Sequence, residues 1–149
     1  MESVTVENIL KENILKCVEI YINTFSAPPW NEDLEYGSVQ AYINNWINLN
    51  NSIGLLVKNY SEKICGFCLG IIKPGIAGDI FYLEEFCIDT EWQNSGIGNK
   101  LLRELENELL NCNIKRIVLN TSSASYAKVF YENHGYICIS NIVMMGKLL

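Results

Sequence analysis

The sequence predicts a single α/β domain with a central mixed, mostly antiparallel sheet flanked by helices. Three observations predict it. The chain has 149 residues, 49% apolar and 19% charged, enough for one domain to bury a sizeable core. Its apolar residues recur at helical spacing in four segments and at strand spacing, or in short runs, between them. No linker, repeat or low-complexity tract interrupts it, so residues 1–149 read as one unit.

Taken in order, Ser3–Val6 suits a short strand. Glu7–Phe25 follows as an amphipathic helix, with Ile9, Leu10, Ile14, Leu15, Cys17, Val18, Tyr21 and Ile22 spaced by three, four and seven. Pro28-Pro29 ends it. Ser38–Leu49 predicts a second helix, with Val39, Tyr42, Ile43, Trp46 and Ile47 on one face. The period then changes. Ile53–Asn59 and Lys63–Ile72 read as a hairpin, and Ile80–Asp89 as a third long strand. Gly96–Leu110 carries the clearest helical stripe, through Ile97, Leu101, Leu102, Leu105, Leu109 and Leu110. Ile114–Leu119 is a strand, and Ser123–Asn133 a helix closed by Gly135 in the left-handed C′ position. Two strands, Tyr136–Ser140 and Ile142–Leu148, are expected to complete the sheet.

A formal net charge of −6 lacks the basic stripe that nucleic-acid binding needs. No apolar stretch approaches the ~20 residues of a membrane span, and Met1–Lys11 has no apolar core of a signal peptide. Six cysteines lie mostly in apolar periodic segments, as small buried hydrophobes do. Cys65-Gly-Phe-Cys68 has C-x-x-C spacing, but in a regular strand positions i and i+3 face opposite ways. With a single His in the chain, no metal site is expected. The thiols are expected to be free and buried, and the setting cytoplasmic.

The chemistry concentrates in Phe86-Cys87-Ile88-Asp89-Thr90-Glu91-Trp92-Gln93-Asn94-Ser95-Gly96-Ile97-Gly98, a strand, a polar loop and a helix start. Glycines there let backbone N–H groups form a concavity, and the helix dipole adds positive potential. An acidic protein can hold phosphate oxygens in this way without a lysine. Neither common nucleotide fingerprint fits. Gly98 is followed by Asn99-Lys100-Leu101 rather than Lys-Ser/Thr, and Leu101 stands where a dinucleotide motif needs Gly.

What remains, Gln93-x-x-Gly96-x-Gly98, resembles the pyrophosphate loop of the GCN5-related N-acetyltransferase (GNAT) superfamily. Downstream, Ala127-Lys128-Val129-Phe130-Tyr131-Glu132-Asn133-His134-Gly135-Tyr136 is similar to that superfamily's A-x-x-F-Y-E-x-x-G-F/Y segment. Two motifs in the right order, separated by a strand, imply a GNAT-like fold and an acetyl-CoA-dependent N-acetyltransferase. Asn94-Ser95 departs from the frequent Gly-Lys pair, and Ala124 stands where many members carry Asn.

The resemblance implies direct attack of an amine on the acetyl-CoA thioester, with no acyl-enzyme and no metal. Such a reaction needs a base for the ammonium, donors for the oxyanion and an acid for the thiolate. Tyr131 matches the acid position, since a phenol is protonated at neutral pH. Glu84 is the first choice for base and Glu85 the second. Strict alternation would put Tyr82, Glu84, Phe86 and Ile88 on one face, and Leu83, Glu85, Cys87 and Asp89 on the other. By resemblance, the main chain of Cys87 and Ile88 meets the pantetheine arm. Gln93, Asn94, Ser95, Gly96, Ile97, Gly98 and Asn99 hold the phosphates.

For the acceptor, residues 1–50 carry seven acids against two bases, and Glu32, Asp33 and Glu35 cluster just after Trp30. Trp30, Glu32, Asp33 and Tyr82 are the expected acceptor contacts, for a cationic, aminoglycoside-like or other small amine. Protein N-terminal or lysine acetylation is the alternative, and a non-catalytic acyl-CoA-binding sensor is the rival from another class. A homodimer is left open, with neither nucleic acid nor membrane as partner. His134 reads as a helix-end residue, Trp46 as core, and Cys87 as lacking the His that would activate it.

Overall fold

A computed structural model describes residues 3–149; Met1 and Glu2, the latter among the acids counted above, lie outside the described residues. The chain runs β1 (Thr5–Asn8), α1 (Ile14–Ser26), α2 (Tyr36–Ile47), β2 (Ser52–Lys58), β3 (Ile64–Lys73), β4 (Ile80–Ile88), α3 (Ile97–Asn111), β5 (Ile117–Leu119) and α4 (Tyr126–Asn133). The strands form one sheet in the order β1-β2-β3-β4-β5, antiparallel except for the parallel β4–β5 pair. The mixed, mostly antiparallel sheet expected from the sequence is the one observed.

Two helical layers cover it. Cys17, Val18, Ile20, Val39 and Ile43 of α1 and α2 meet Leu56, Phe67, Leu69 and Cys87 on one face. On the other, Ile97, Leu101, Leu102, Leu105 and Leu109 of α3 pack on Leu55, Val57, Phe81 and Leu83. The α3 stripe is the expected one, except that Leu110 is exposed. The first helix starts later than its periodicity suggests, because Glu7 and Asn8 pair with Leu56 and Leu55 in the sheet. Leu10, before the helix, and Leu15, in its first turn, are both exposed.

Two β-bulges break the period of two. Val57 pairs with Gly66 and Lys58 with Ile64, so Cys65 is extra in β3. Leu69 pairs with Glu85 and Gly70 with Leu83, so Glu84 is extra in β4. Each extra residue shifts the phase of the rest of its strand. Cys65 and Cys68 therefore lie in the same α3-side layer, not on opposite faces as strict alternation requires. Phe81, Leu83, Phe86 and Ile88 likewise all belong to that layer, which overturns the expected grouping of Glu84 with Phe86. Gly70 makes the second bulge sterically feasible: a Cβ there would stand 2.6 Å from Phe81 Cζ and closer still to the Tyr82 carbonyl.

Two further expectations are corrected. The strands read at Tyr136–Ser140 and Ile142–Leu148 are absent from the sheet. The segment makes a turn closed by Ile142 N donating to Ile139 O, 3.3 Å, and Ile137–Leu149 is exposed throughout. An apolar run marks β-propensity, but a strand exists only where a neighbour supplies its ladder. All six cysteines are free, yet only Cys17, Cys65, Cys68 and Cys87 are buried; Cys112 and Cys138 are exposed. No helix among the described residues is long and apolar enough to cross a membrane.

Candidate active site

The site begins where the sheet comes apart. β4 and β5 pair only at Phe81–Ile117, Tyr82–Val118 and Leu83–Leu119, while β4 runs on to Ile88. The main chain of Glu84–Ile88 thus has no strand beside it on that edge, and a cleft of about 660 Å³ opens there. Such a volume suits a small-molecule site. Phe86 and Ile88 of β4, Gly96 and Gly98 at the start of α3, and Ala127, Phe130 and Tyr131 of α4 line it, facing Trp30.

One end of the cleft is an uncapped helix. Gly96 is the N-cap of α3 with φ 85°, and no side chain caps the first turn. The free N–H groups and the dipole concentrate positive potential at that point. Asn94 is also left-handed, with φ 58°, which alternates the backbone as anion-binding loops do. A Cβ at Gly96 would meet nothing within 4 Å, so the space before the helix is open. Gln93 Nε2 donates to the Ile88 carbonyl at 3.1 Å, and Thr24 Oγ1 donates to the same oxygen at 3.3 Å. That carbonyl is therefore already engaged. Trp92 Nε1, in the cleft wall, is buried without a partner among the described residues.

Tyr131 of α4 stands in the same cleft wall. Ser125 caps α4 at its N-terminus by accepting from Lys128 N. Past its last turn, Gly135 N donates to Glu132 O and Tyr136 N to Tyr131 O, both at 3.1 Å. This pair of bonds is a Schellman motif, and the Tyr131 and Tyr136 rings pack 5.3 Å apart across it. Tyr131 is thereby fixed, 8% exposed, against Phe86 and Phe130. Burial pushes its phenol well above the ordinary range, with the Cys68 and Cys87 thiols and the Glu85 carboxylate acting in the same direction. It stays protonated.

Glu85 lies on the opposite face of β4, toward α1 and α2. Glu85 Oε1 accepts from Tyr42 at 2.8 Å and from Tyr21 at 3.4 Å. Burial pushes the Glu85 carboxyl up to about 7, against the lowering effect of the two phenol bonds; Glu84 and Glu32 raise it further. Glu84, the bulge residue, is exposed. Of the two candidate bases, Glu85 is the perturbed, hydrogen-bonded one and Glu84 the solvent-exposed one.

The cleft gathers Trp30, Ile88, Gln93, Asn94, Gly96, Gly98, Asn99 and Tyr131 from the expected set. Ser95 and Ile97 face elsewhere. The Ser95 hydroxyl donates to the Trp92 carbonyl, and the Ile97 side chain is core. Cys87 likewise buries its side chain under α1, leaving only its main chain near the cleft. Tyr82 lies outside the cleft lining, with Lys73 Nζ 4.0 Å over its ring. Glu32 and Asp33 are exposed. Glu35 caps α2, accepting from Gly37 N, Ser38 N and Ser38 Oγ at 2.7–2.8 Å, so its carboxylate is already occupied.

A family model described as an acetyltransferase (GNAT) domain matches residues 29–147. The chain belongs to the GNAT acetyltransferase family. Solved structures share the fold at low identity. A transcriptional regulator from Bacillus halodurans C-125 superposes with TM-score 0.80 at 17% identity, covering 97% of this GNAT chain and 100% of its own. The aminoglycoside acetyltransferase meta-AAC0020, from an uncultured soil metagenomic sample, gives 0.75 at 17%, covering 98% and 96%. Aminoglycoside N-acetyltransferase AAC(6′)-Iy in complex with CoA gives 0.78 at 10%, covering 99% and 96%. No curated protein sequence matches the chain.

In this GNAT chain, the bonds of Tyr21 and Tyr42 to Glu85 were not read from the sequence, because both residues sit on apolar helix stripes. The available signal was chemical: a Tyr on a buried stripe still needs a partner for its hydroxyl. Phe86 and Phe130, 5.6 Å apart in the cleft wall, read only as core and motif.

Proposed function

We propose that this GNAT chain moves the acetyl group of acetyl-CoA to a cationic primary amine by direct attack. The reading rests on one juxtaposition. Tyr131, a protonated phenol in the cleft, and Glu85, a half-buried carboxylate outside the cleft lining on the α1–α2 face, stand on either side of the stretch of β4 where the sheet opens and couple electrostatically. Glu85 takes a proton from the acceptor ammonium, the freed amine attacks the thioester carbonyl, and the C–S bond breaks as Tyr131 protonates the departing thiolate; the second proton, shed by the nitrogen as it becomes an amide, restores the Tyr131 phenol. Along the open edge of β4, the main chain of Glu84–Ile88 supplies donors and acceptors for the pantetheine arm, apart from the Ile88 carbonyl held by Gln93 and Thr24. The main-chain N–H groups at the uncapped start of α3, along Gln93, Asn94, Ser95, Gly96, Ile97, Gly98 and Asn99, receive the pyrophosphate.

A cationic acceptor is favoured by the surroundings of Glu85. Glu84 and Glu32 add negative charge, and no Lys, Arg or His pairs with Glu85 among the described residues. Tyr21, Phe25, Tyr42 and Trp30 supply aromatic faces alongside. Two of the structurally similar proteins, both aminoglycoside acetyltransferases, fit this class.

The test measures free thiol release from acetyl-CoA across polyamines, aminoglycosides, peptide N-termini and acidic amines, with CoA binding measured in parallel by calorimetry. Turnover with polyamines or aminoglycosides is expected. Turnover confined to peptides would replace the small-amine reading with protein acetylation. CoA binding with no thiol release for any amine would leave the sensor module.

A further inference from the structure

Both helices of the α1–α2 layer reach across to one oxygen atom. Tyr42 donates to Glu85 Oε1 at 2.8 Å, and Tyr21 to the same oxygen at 3.4 Å. Glu85 Oε2 has no hydrogen-bond partner among the described residues, and no cation pairs with the carboxylate. A half-buried carboxylate is normally neutralised by a Lys or Arg or bonded through both oxygens. Here two neutral donors converge on one oxygen and leave the other free.

The two phenols are themselves held in place. Tyr21 packs on Phe25 with ring centroids 4.6 Å apart, and on Tyr42 at 6.0 Å. Tyr42 continues the row to Trp46 at 6.4 Å. Rotating Glu85 away would strand two partly buried hydroxyls, each of which would then lack its partner. The carboxylate is pinned from α1 and α2 at once.

We infer that Tyr21 and Tyr42 are positioning residues, which fix Glu85 through Oε1 so that Oε2 is presented to the acceptor ammonium. The inference rests on Glu85 serving as the base. Protonation then occurs at Oε2: the N–H bond of the ammonium breaks, an O–H bond forms, and the lone pair left on nitrogen attacks. After product leaves, that proton passes to solvent. The pair also sets when Glu85 is ionised, since a hydrogen bond to the charged form favours it. The other groups acting on Glu85 are Glu84 on its own strand and Glu32 from the α1–α2 connection. The Cys87 thiol and the Tyr131 phenol couple to it electrostatically. The acids among them raise its affinity for a proton, and the hydrogen bonds from Tyr42 and Tyr21 are what lower it.

Carboxyl ¹³C NMR of glutamate-labelled protein tests this without a known acceptor, with Glu85 assigned by the resonance lost in Glu85→Gln. In wild type the Glu85 signal should titrate near 7. In Tyr42→Phe the midpoint should rise by about one unit, and in Tyr21→Phe by less, because its bond is longer. Phenylalanine keeps the ring and its packing, and circular dichroism confirms the fold. A Glu85 midpoint unmoved in the folded double variant would overturn the inference. The catalytic reading fails separately, if kcat/KM in Glu85→Gln keeps the wild-type pH profile. A titration that shifts as expected beside such an unchanged profile would leave the pair as a structural clamp, and would also overturn the assigned role.

Discussion

At the scale of the residue, Glu85 carries opposite consequences for stability and activity. Its carboxyl is held near 7, against an ordinary value near ~4.3 in an unfolded chain. The folded protein therefore binds this proton more tightly than the unfolded one. Stability from this group is intact below pH ~4, falls as pH rises toward 7, and is lost above it. Glu85→Gln should accordingly raise stability at pH 8 by on the order of 2 kcal/mol and change little at pH 4, read by urea unfolding at both values. Catalysis runs the other way, with kcat/KM in wild type rising as Glu85 ionises through about 7. For Tyr131, removal of the hydroxyl in Tyr131→Phe should lower kcat ~10²–10⁴-fold with CoA affinity nearly unchanged. An unaltered kcat would assign the thiolate's proton to another group. Tyr131 was legible in the sequence because its motif fixes both residue and spacing. Glu85 was legible only as one of a pair, because which carboxylate faces the α1–α2 layer depends on a bulge that no periodicity reveals.

At the scale of the element, the start of α3 should behave as a binding surface rather than a structural joint. A Cβ on Gly98 would make only 3.6 Å contacts with Ile88 and Phe130, so Gly98→Ala should fold normally. Gly96→Glu adds a carboxylate in front of the uncapped helix and strains a φ of 85°. It should abolish CoA binding by calorimetry while circular dichroism stays near wild type; unchanged affinity would displace the phosphate site from this loop. The α3 stripe, the hairpin of β2 and β3 and the left-handed Gly135 were all legible, since each is specified by residues local to it. The absence of the two terminal strands was not. Ile142–Met145 has the composition of a buried strand, but pairing is decided by a distant edge, and β5 is only three residues long. The cap role of Glu35 was not read from the sequence, where it counted only as one of a cluster of acids; its place just before Tyr36 makes it the N-cap of α2.

For the whole molecule, the charge asymmetry between the first fifty residues and the rest implies attraction of cations toward the α1–α2 side. KM for a polyamine or aminoglycoside acceptor should rise with ionic strength, and rise again in Glu32→Gln/Asp33→Asn, which spares the cap at Glu35. Indifference to both changes would remove the steering role while leaving the chemistry at Glu85 in place.

The extra residue in β4 makes the chain tolerant of one specific loss. Because Glu84 is unmatched by β3, taking it out leaves Leu83 and Phe86 two positions apart, still on one face, with Glu85 still on the other. ΔGlu84 should therefore fold, whereas deleting Tyr82 moves Phe81 across the sheet and should not. Thermal unfolding of the two shortened chains distinguishes them. The same arithmetic governs how this sequence is laid against its relatives: a gap misplaced by a single position at 84 and 85 exchanges an exposed carboxylate for the one gripped by two tyrosines. Homologues differing in length at this point can then keep identical chemistry under an apparently mismatched residue.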